Sequence, residues 1–444
     1  MDYQALAERL VKQCRNKGAD AAEVYIESER QLNVEIRNGE VETVQEASSH
    51  GAGFRIFTKG KLGFAHCNDF SDAALEGTIE SAVAFAKRTT SDENNVLPTL
   101  QGQSDVEGLF DPAVAEIPTE KKIALAEAAE KAAMRDRRIT KSAGASYSEG
   151  VGEIVLANSN GLAKTYKTSI CGFGVSVVAE KGEQKSSGGE SCYRHLFADL
   201  KSPDEVAKKA AKDAYGMLDP RMVKTQKAAV IFDPDVARSI LGGILGAVNG
   251  ERVLQGASFL AEKMDQPVAA PQVTIIDDGT LPKGLASAPF DGEGVPTQRR
   301  VIVDQGVLKG FMYNTIVAKR AGVESTGNAS RGGFTSLPGI GPHNFYMVAG
   351  ETDPEAIIRS TKTGLLLKGV MGYGINPVNG NFSGGVLGFW IENGRIAFPV
   401  KGLTIAGTAE SILFGIDMVG SDLDLNRSMT VPTFRVREMQ IGGL

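Results

Sequence analysis

Val34-Glu35-Ile36-Arg37-Asn38-Gly39-Glu40-Val41-Glu42-Thr43-Val44 consists of two alternating segments joined at Asn-Gly. A two-residue hairpin turn needs positive φ at both central positions, which Asn and Gly adopt with little strain, so this stretch specifies an antiparallel hairpin. Working outward, Val24-Tyr25-Ile26 precedes it, and residues 53–57, a Lys59-Gly60 turn and residues 62–66 continue the meander. One antiparallel sheet is expected. Tyr3, Leu6, Leu10 and Cys14, widened by Ala7 and Val11 and stopped at Gly18, form the stripe of an opening helix that must pack on that sheet.

A helix is expected over residues 71–88, then a polar loop over 89–103, a second long helix over 119–138, and strands near 142–148, 153–157 and 163–179. Ser202-Pro203-Asp204-Glu205 is a capping box with proline at the first helical position. The recurrence of helix, sheet and helix suggests a duplicated α+β unit. Residues 218–226 lack periodicity, and beyond them glycine turns separate many short β segments: 228–232, 273–277, 300–304, 307–311, 388–392 and 396–399. The expected fold class is α+β, with an amino-terminal α+β domain over 1–220 and a β-rich, barrel- or sandwich-like domain over 221–444.

The chain has 444 residues, 42% hydrophobic and 23% charged, enough for two cores and inconsistent with wholesale disorder. A net charge of −6 offers no basic footprint for nucleic acid. The most apolar runs, such as residues 240–248, fall far short of the ~20 residues that span a bilayer. Together with a charged start and four scattered cysteines, these features lead to the expectation of a cytoplasmic protein.

Conventional catalytic motifs are missing. The histidines are His50, His66, His195 and His343, and none belongs to HExxH. Cys192-x-x-His195 offers two ligands where zinc needs three or four, so the reading adopted is a strand-end cysteine and a surface histidine. No GxSxG occurs. Gly372-Tyr373-Gly374 leads into Ile375-Asn376-Pro377 rather than a helix, unlike a dinucleotide fingerprint. A metal-independent hydrolase would use Ser383, or else Asp291 and Glu293, and that carboxylate pair is read in preference as a solvated turn in a glycine-rich loop.

Several ordered blocks remain: residues 288–295 (Ala-Pro-Phe-Asp-Gly-Glu-Gly-Val), Arg299-Arg300, residues 325–329 (Ser-Thr-Gly-Asn-Ala), Gly374-Ile375-Asn376-Pro377-Val378 with Gly380, Ser383 and Gly385, residues 388–394 (Gly-Phe-Trp-Ile-Glu-Asn-Gly), Ile405-Ala406-Gly407 and residues 419–423 (Val-Gly-Ser-Asp-Leu). In this order they resemble the TldD/PmbA family, its PmbA (TldE) branch in particular, over essentially the whole chain. The resemblance implies a two-chain protease that degrades or trims unstructured peptides, with zinc in the TldD-like chain. There a helix carries HExxxH and a late cysteine adds a ligand. By that alignment Gly242 and Ala247 stand where the histidines would be and Gly243 replaces the glutamate, while no cysteine follows Cys192.

The implied role is therefore a non-catalytic subunit with no cofactor of its own, whose partners are a TldD-like zinc subunit and unfolded peptides. The alternative is a homodimeric peptide-binding or scaffold protein. Gly242, Gly243, Gly246, Ala247 and Gly250 make one side of a helix bare, which calls for a closely approaching backbone. The glycine-rich blocks are expected to line a peptide channel, with Arg331, Asn376, Ser383 and Phe389 as candidate contacts. Arg331 would hold a peptide carboxylate, and affinity would come from strand addition to an exposed edge.

Overall fold

The computed structural model describes residues 1–99, 102–372 and 374–444. Part of the loop expected over 89–103, and Tyr373 of Gly372-Tyr373-Gly374, lie outside the described residues. In the first half α1 (Tyr3–Asn16), β1 (Ala21–Arg37), β2 (Glu40–Thr58), β3 (Lys61–Cys67) and α2 (Asp72–Arg88) form one unit. After a single turn, α3 (Ala113–Glu116), the same order recurs as α4 (Thr119–Met134), β4 (Ile139–Asn158), β5 (Ala163–Lys181), β6 (Gln184–Arg194) and α5 (Pro203–Gly216). The six strands make one antiparallel sheet ordered β3-β2-β1-β4-β5-β6, so the two units meet where β1 pairs with β4.

Each unit buries its own apolar cluster beneath its helices. α1 and α2 cover Val24, Ile26, Phe54 and Ile56, whereas α4 and α5 cover Leu32, Val34, Ile36, Tyr147 and Phe173. Between these clusters β1 runs through Ser28 and Arg30, which belong to neither. This is why one long strand reads in sequence as two short ones.

The hairpin turn forms as expected, with φ of 55° at Asn38 and 76° at Gly39. Buried Glu130 of α4 accepts hydrogen bonds from both turn amides, at 2.9 and 2.7 Å, and from the Ser142 hydroxyl. Glu130→Ala should remove about 1–3 kcal/mol by leaving these donors without an acceptor. Chemical denaturation checks it, and an unchanged midpoint would mean that water satisfies the turn.

The second half is built from β7 (Gln226–Phe232), α6 (Pro234–Ala247), α7 (Gly250–Leu254), β8 (Ile275–Asp278), β9 (Arg299–Asp304), β10 (Val307–Leu308), α8 (Thr315–Ala321), β11 (Ala329–Ser330), β12 (Gly339–Ile340) and β13 (Asn344–Met347). It continues through α9 (Pro354–Arg359), β14 (Thr363–Met371), β15 (Asn381–Glu392), β16 (Arg395–Thr408), α10 (Ala409–Gly415), β17 (Ile416–Val419), β18 (Met429–Thr430) and β19 (Phe434–Gly442). β16, β15, β14, β7 and β19 pair in turn, and β19 pairs back onto β16, which closes a five-stranded barrel. Phe232 and Phe434 stack in its core at 4.8 Å. β15 (Asn381–Glu392) has neighbours on both sides, so that strand offers no free edge for strand addition. Among the described residues no helix is long and apolar enough to cross a membrane.

Candidate functional site

On the sheet face turned away from the helices, register aligns Glu35, Ser146, Gly174 and Ser191 in one row across β1, β4, β5 and β6. The adjacent row is Asn33, Ser148, Gly172 and Tyr193. Strands spaced about 4.8 Å apart make such a row roughly 15 Å long, the length of about four extended residues. The first row, mostly small side chains, and Tyr193 of the second line a trough of about 550 Å3, also lined by Asp235 and Arg238 of α6 and by Arg427. A second cavity of about 200 Å3 shares Glu190, Ser191, Tyr193, Arg238 and Arg427 with it, so the trough continues past β6.

Charge organises the β6 end. Asp235 meets Arg238 at 3.0 Å, Lys209 at 3.1 Å and Arg427 at 3.7 Å, while Glu190 pairs with Lys209 and, at 3.2 Å, with Arg427. Burial pushes the Asp235 carboxyl up, but Lys209, Arg427 and Arg238 outweigh it and hold the group below its ordinary value. Arg238 Nε is buried and has no hydrogen-bond acceptor.

Asp235, Arg238 and Gly242 follow one another at helical spacing on the same side of α6. A Cβ at Gly242 would meet no heavy atom within 4 Å, whereas one at Gly243 would lie 2.5 Å from Ile375 Cβ and 2.6 Å from its carbonyl oxygen. At Gly246 a Cβ would lie 3.0 Å from Pro377 Cβ, and Ala247 is fully buried. The 374–377 segment thus lies on α6 at Gly243 and Gly246, whereas Gly242 faces open space.

The candidate contacts read from sequence do not converge on this trough. Arg331 is buried, and its guanidinium donates to Gly292 O at 2.6 Å, to Ser336 O at 3.0 Å and to Glu23. Three of its five N–H donors are thereby engaged within the chain, and it is not among the residues that line the trough. Phe389 is half-buried beside Ile231, Leu366 and Ile391 and faces Gly216. Asn376 is exposed and caps its own turn by accepting from Val378 N at 2.9 Å, and exposed Ser383 lies just beyond the Ile375–Phe382 bridge.

Two further readings are corrected. His195 is buried, not on the surface, with one ring nitrogen at Ser169 O and the other 3.1 Å from Gly284 O; Cys192 is buried as well and accepts from Lys201 N. Asp291 and Glu293 do not form a solvated turn. Asp291 accepts from the amides of Glu293, Val295 and Ala329, each at 2.9 Å, and Glu293 binds Arg55 at 2.6 Å. Burial and the neighbouring Glu293 charge push Asp291 up to about 7.

The trough residues were missed in sequence, although a signal existed. Cys171-Gly172-Phe173-Gly174-Val175-Ser176-Val177 alternates large buried with small residues, the mark of a sheet whose second face must stay shallow.

Models of the PmbA/TldA metallopeptidase match three consecutive parts: domain 1 over residues 22–86, the central domain over 112–218 and the C-terminal domain over 225–443. Metalloprotease PmbA of Escherichia coli O157:H7 is 31% identical over 435 residues, covering 96% of this chain and 93% of its own length. The chain belongs to the PmbA/TldD family. Other PmbA/TldD relatives include the Metalloprotease TldD homolog of Haemophilus influenzae, 26% identical over 466 residues, with 96% of this chain and 94% of that protein covered. A putative modulator of DNA gyrase from Bacteroides thetaiotaomicron has a crystal structure that superposes with a TM-score of 0.91 at 26% identity, covering 100% of both chains. TldE from Thermococcus kodakarensis, at 24% identity and a TM-score of 0.88 over 98% of this chain and 99% of its own, shares the fold.

Metallopeptidase membership implies a metal, and the donors here do not fit one. Gly242, Gly243 and Ala247 carry no ligand atom, and among the described residues no group of three His, Cys, Asp or Glu side chains is placed to share an ion.

Proposed function

We propose that this chain is the PmbA/TldE-like subunit of a TldD/TldE-type peptidase in the cytoplasm, and that it supplies a wall of the channel for unstructured peptides while a TldD-like partner holds zinc. The observation that carries this reading is the trough floored by Ser146, Gly174 and Ser191 and bordered by a helix whose aligned ligand positions are glycine and alanine. Small side chains let an extended backbone lie close to the sheet. In this reading the 1–220 unit provides the floor and the 221–444 unit the border. Asn376 and Ser383 are exposed positions for partner contact, and Arg331 and Phe389 hold the framework.

The test is reconstitution with a TldD-like chain and cleavage of an unstructured peptide. Ser146→Trp places an indole in the trough and is expected to lower kcat/KM at least about tenfold, a loss of about 1.4 kcal/mol of transition-state stabilisation, with assembly intact. Wild-type cleavage by the variant would put the channel on another surface. Absence of any complex with the TldD-like chain would favour the homodimeric peptide-binding scaffold.

A further inference from the structure

The sheet face turned away from the helices extends beyond the trough. Along β4 it passes from Ser146 through Ser148, Gly150 and Gly152 to Ile154, roughly 27 Å at about 3.4 Å per residue, and ends where the two halves meet. There Glu27, Ile154 and Tyr166 stand in one row across β1, β4 and β5, with Tyr25 in the next row. These side chains line a cavity of about 230 Å3 that Phe290, Asp291 and Arg331 of the second half also line. Tyr25 is 6% exposed, and neither its hydroxyl nor that of Tyr166 has a hydrogen-bond partner among the described residues. Burial and then the nearby Glu27 charge push both phenols up. Glu27 is itself half-buried and accepts from Phe334 N at 3.2 Å, yet among the described residues no cation pairs with it or with Glu29, the next side chain on that face. The other charges at the junction are matched: Arg55 and Arg331 by Glu23 and Glu293, and Lys164 by Asp291. Lys164 donates to Gly294 O at 2.6 Å, the Arg331 side chain is 2% exposed, and His343, on the same lining, is turned to Asp277 at 3.4 Å. Glu27 therefore brings the cavity an unmatched negative charge, and the two phenols bring oxygens with nothing to bind.

We infer that the cavity formed by Tyr25, Glu27 and Tyr166 takes the primary ammonium of a lysine side chain carried by an extended peptide. The inference rests on the channel reading above for the peptide, and on the cavity's own residues for the lysine. An ammonium has three donors and no acceptor, and the Glu27 carboxylate with the two phenol oxygens offers an acceptor for each. Ile154 and Phe290 on the lining give the methylene stem an apolar surface to lie against. The small residues of β4 supply the path, because Gly150 and Gly152 line a further small cavity that shares Glu27 and Ile154 with this one. An amino terminus carries the same ammonium on a shorter stem.

The experiment uses the full chain and isothermal titration calorimetry at pH 8, where Asp291, pushed up to about 7, is ionised and the framework charges cancel. The probe is a peptide with three Gly-Ser-Ala repeats on each side of one lysine, acetylated and amidated at its ends, against the same peptide with norleucine in place of lysine. The lysine peptide is expected to bind about tenfold more tightly. Glu27→Gln, which keeps an acceptor for Phe334 N and removes the charge, should abolish the preference, and Tyr166→Phe should reduce it, both with an unchanged unfolding midpoint. A norleucine peptide with a free amino terminus that matches the lysine peptide would assign the cavity to the chain terminus and overturn the lysine reading. Equal binding of the lysine and norleucine peptides overturns the inference, as does a preference that persists in Glu27→Gln; if that variant does not fold, a full preference in Tyr166→Phe overturns it instead. Ser146→Trp separates the two ideas. Unchanged affinities with the lysine preference kept would uphold the cavity and remove the channel reading, whereas weaker binding of both peptides, with no lysine preference in the wild type, would remove only the cavity. No binding of either peptide at millimolar concentration overturns the cavity.

Discussion

Arg55→Met is expected to lower stability by about 3–5 kcal/mol, the loss that follows when one member of a buried ion pair is removed and its partners stay charged. Arg55 is 1% exposed and binds Glu23 of β1 at 2.6 and 3.1 Å and Glu293 of the second half at 2.6 Å. Arg331 reaches back across the same junction to Glu23, so carboxylates and guanidiniums alternate between the halves. Without Arg55, Glu293 keeps only the Thr315 amide at 2.7 Å and stands beside Asp291, which already resists ionisation.

The pH dependence has a definite sign. In the wild type, burial pushes Glu293 up, but Arg55 and the Thr315 amide hydrogen bond outweigh it and the group is held below its ordinary value. Its contribution is present above the unfolded carboxylate range, about 4.3, and is lost as pH falls through the lower folded value. In the variant burial is opposed only by the Thr315 amide, so protonation relieves the orphaned carboxylate and the deficit relative to wild type should widen from pH 5 to pH 8. Guanidinium chloride midpoints at both pH values decide it, followed by Trp390, the chain's one tryptophan, and by circular dichroism. A loss below about 1 kcal/mol at pH 8 would mean that the cluster is not what joins the halves. Arg55→Met combined with Glu293→Leu should recover part of the loss, because apolar replacement of both partners removes the unpaired charge.

What could be read from the sequence divides along the range of the interaction. The Asn38-Gly39 hairpin, the stripe of α1 and the Ser202–Glu205 capping box are local devices, and each forms as read. The repeated unit was visible as an order of elements, with β1 to β5 read as shorter segments of the strands that form and β6 not read at all. β6 was missed because Gln184–Ser191 has no apolar residue, being an edge strand whose Gly188 takes the backbone of α5 against it. β14 and β19 were missed because a barrel strand's partners are set by closure and not by neighbouring residues. The trough was not legible, because it consists of small residues brought into rows by register. The Arg55–Glu293 and Arg331–Glu23 pairs join positions 238 and 308 residues apart, beyond any local pattern.

Replacing Gly242 by His, Gly243 by Glu and Ala247 by His together would restore the residue types of HExxxH, yet the triple variant is expected to bind no stoichiometric zinc, to show no peptidase activity and to be destabilised. The obstacle is the segment lying on α6. Any Cβ at 243 falls 2.6 Å from the Ile375 carbonyl oxygen, and that carbonyl cannot swing away alone, because Gly374 is pressed against Ser239 O and Asn376 N is bonded to Asn381 O at 2.8 Å. Position 247 is fully buried, so an imidazole there would need both space and hydrogen-bond partners that the surrounding core does not offer. A late cysteine ligand is also missing, as Cys192 is the last in the chain. Single alanine replacements isolate the packing part of the argument. Gly243→Ala should lose about 1–3 kcal/mol as an overpacked site, whereas Gly242→Ala, with open space around its Cβ, should gain about 0.5–1 kcal/mol from reduced backbone entropy in the unfolded chain. Urea midpoints of the two variants, and metal analysis of the triple variant purified without added zinc, test the pair of claims. Equal stability of the two alanine variants would show that the 374–377 segment yields freely, and one equivalent of zinc in the triple variant would show that this helix can still form a metal site.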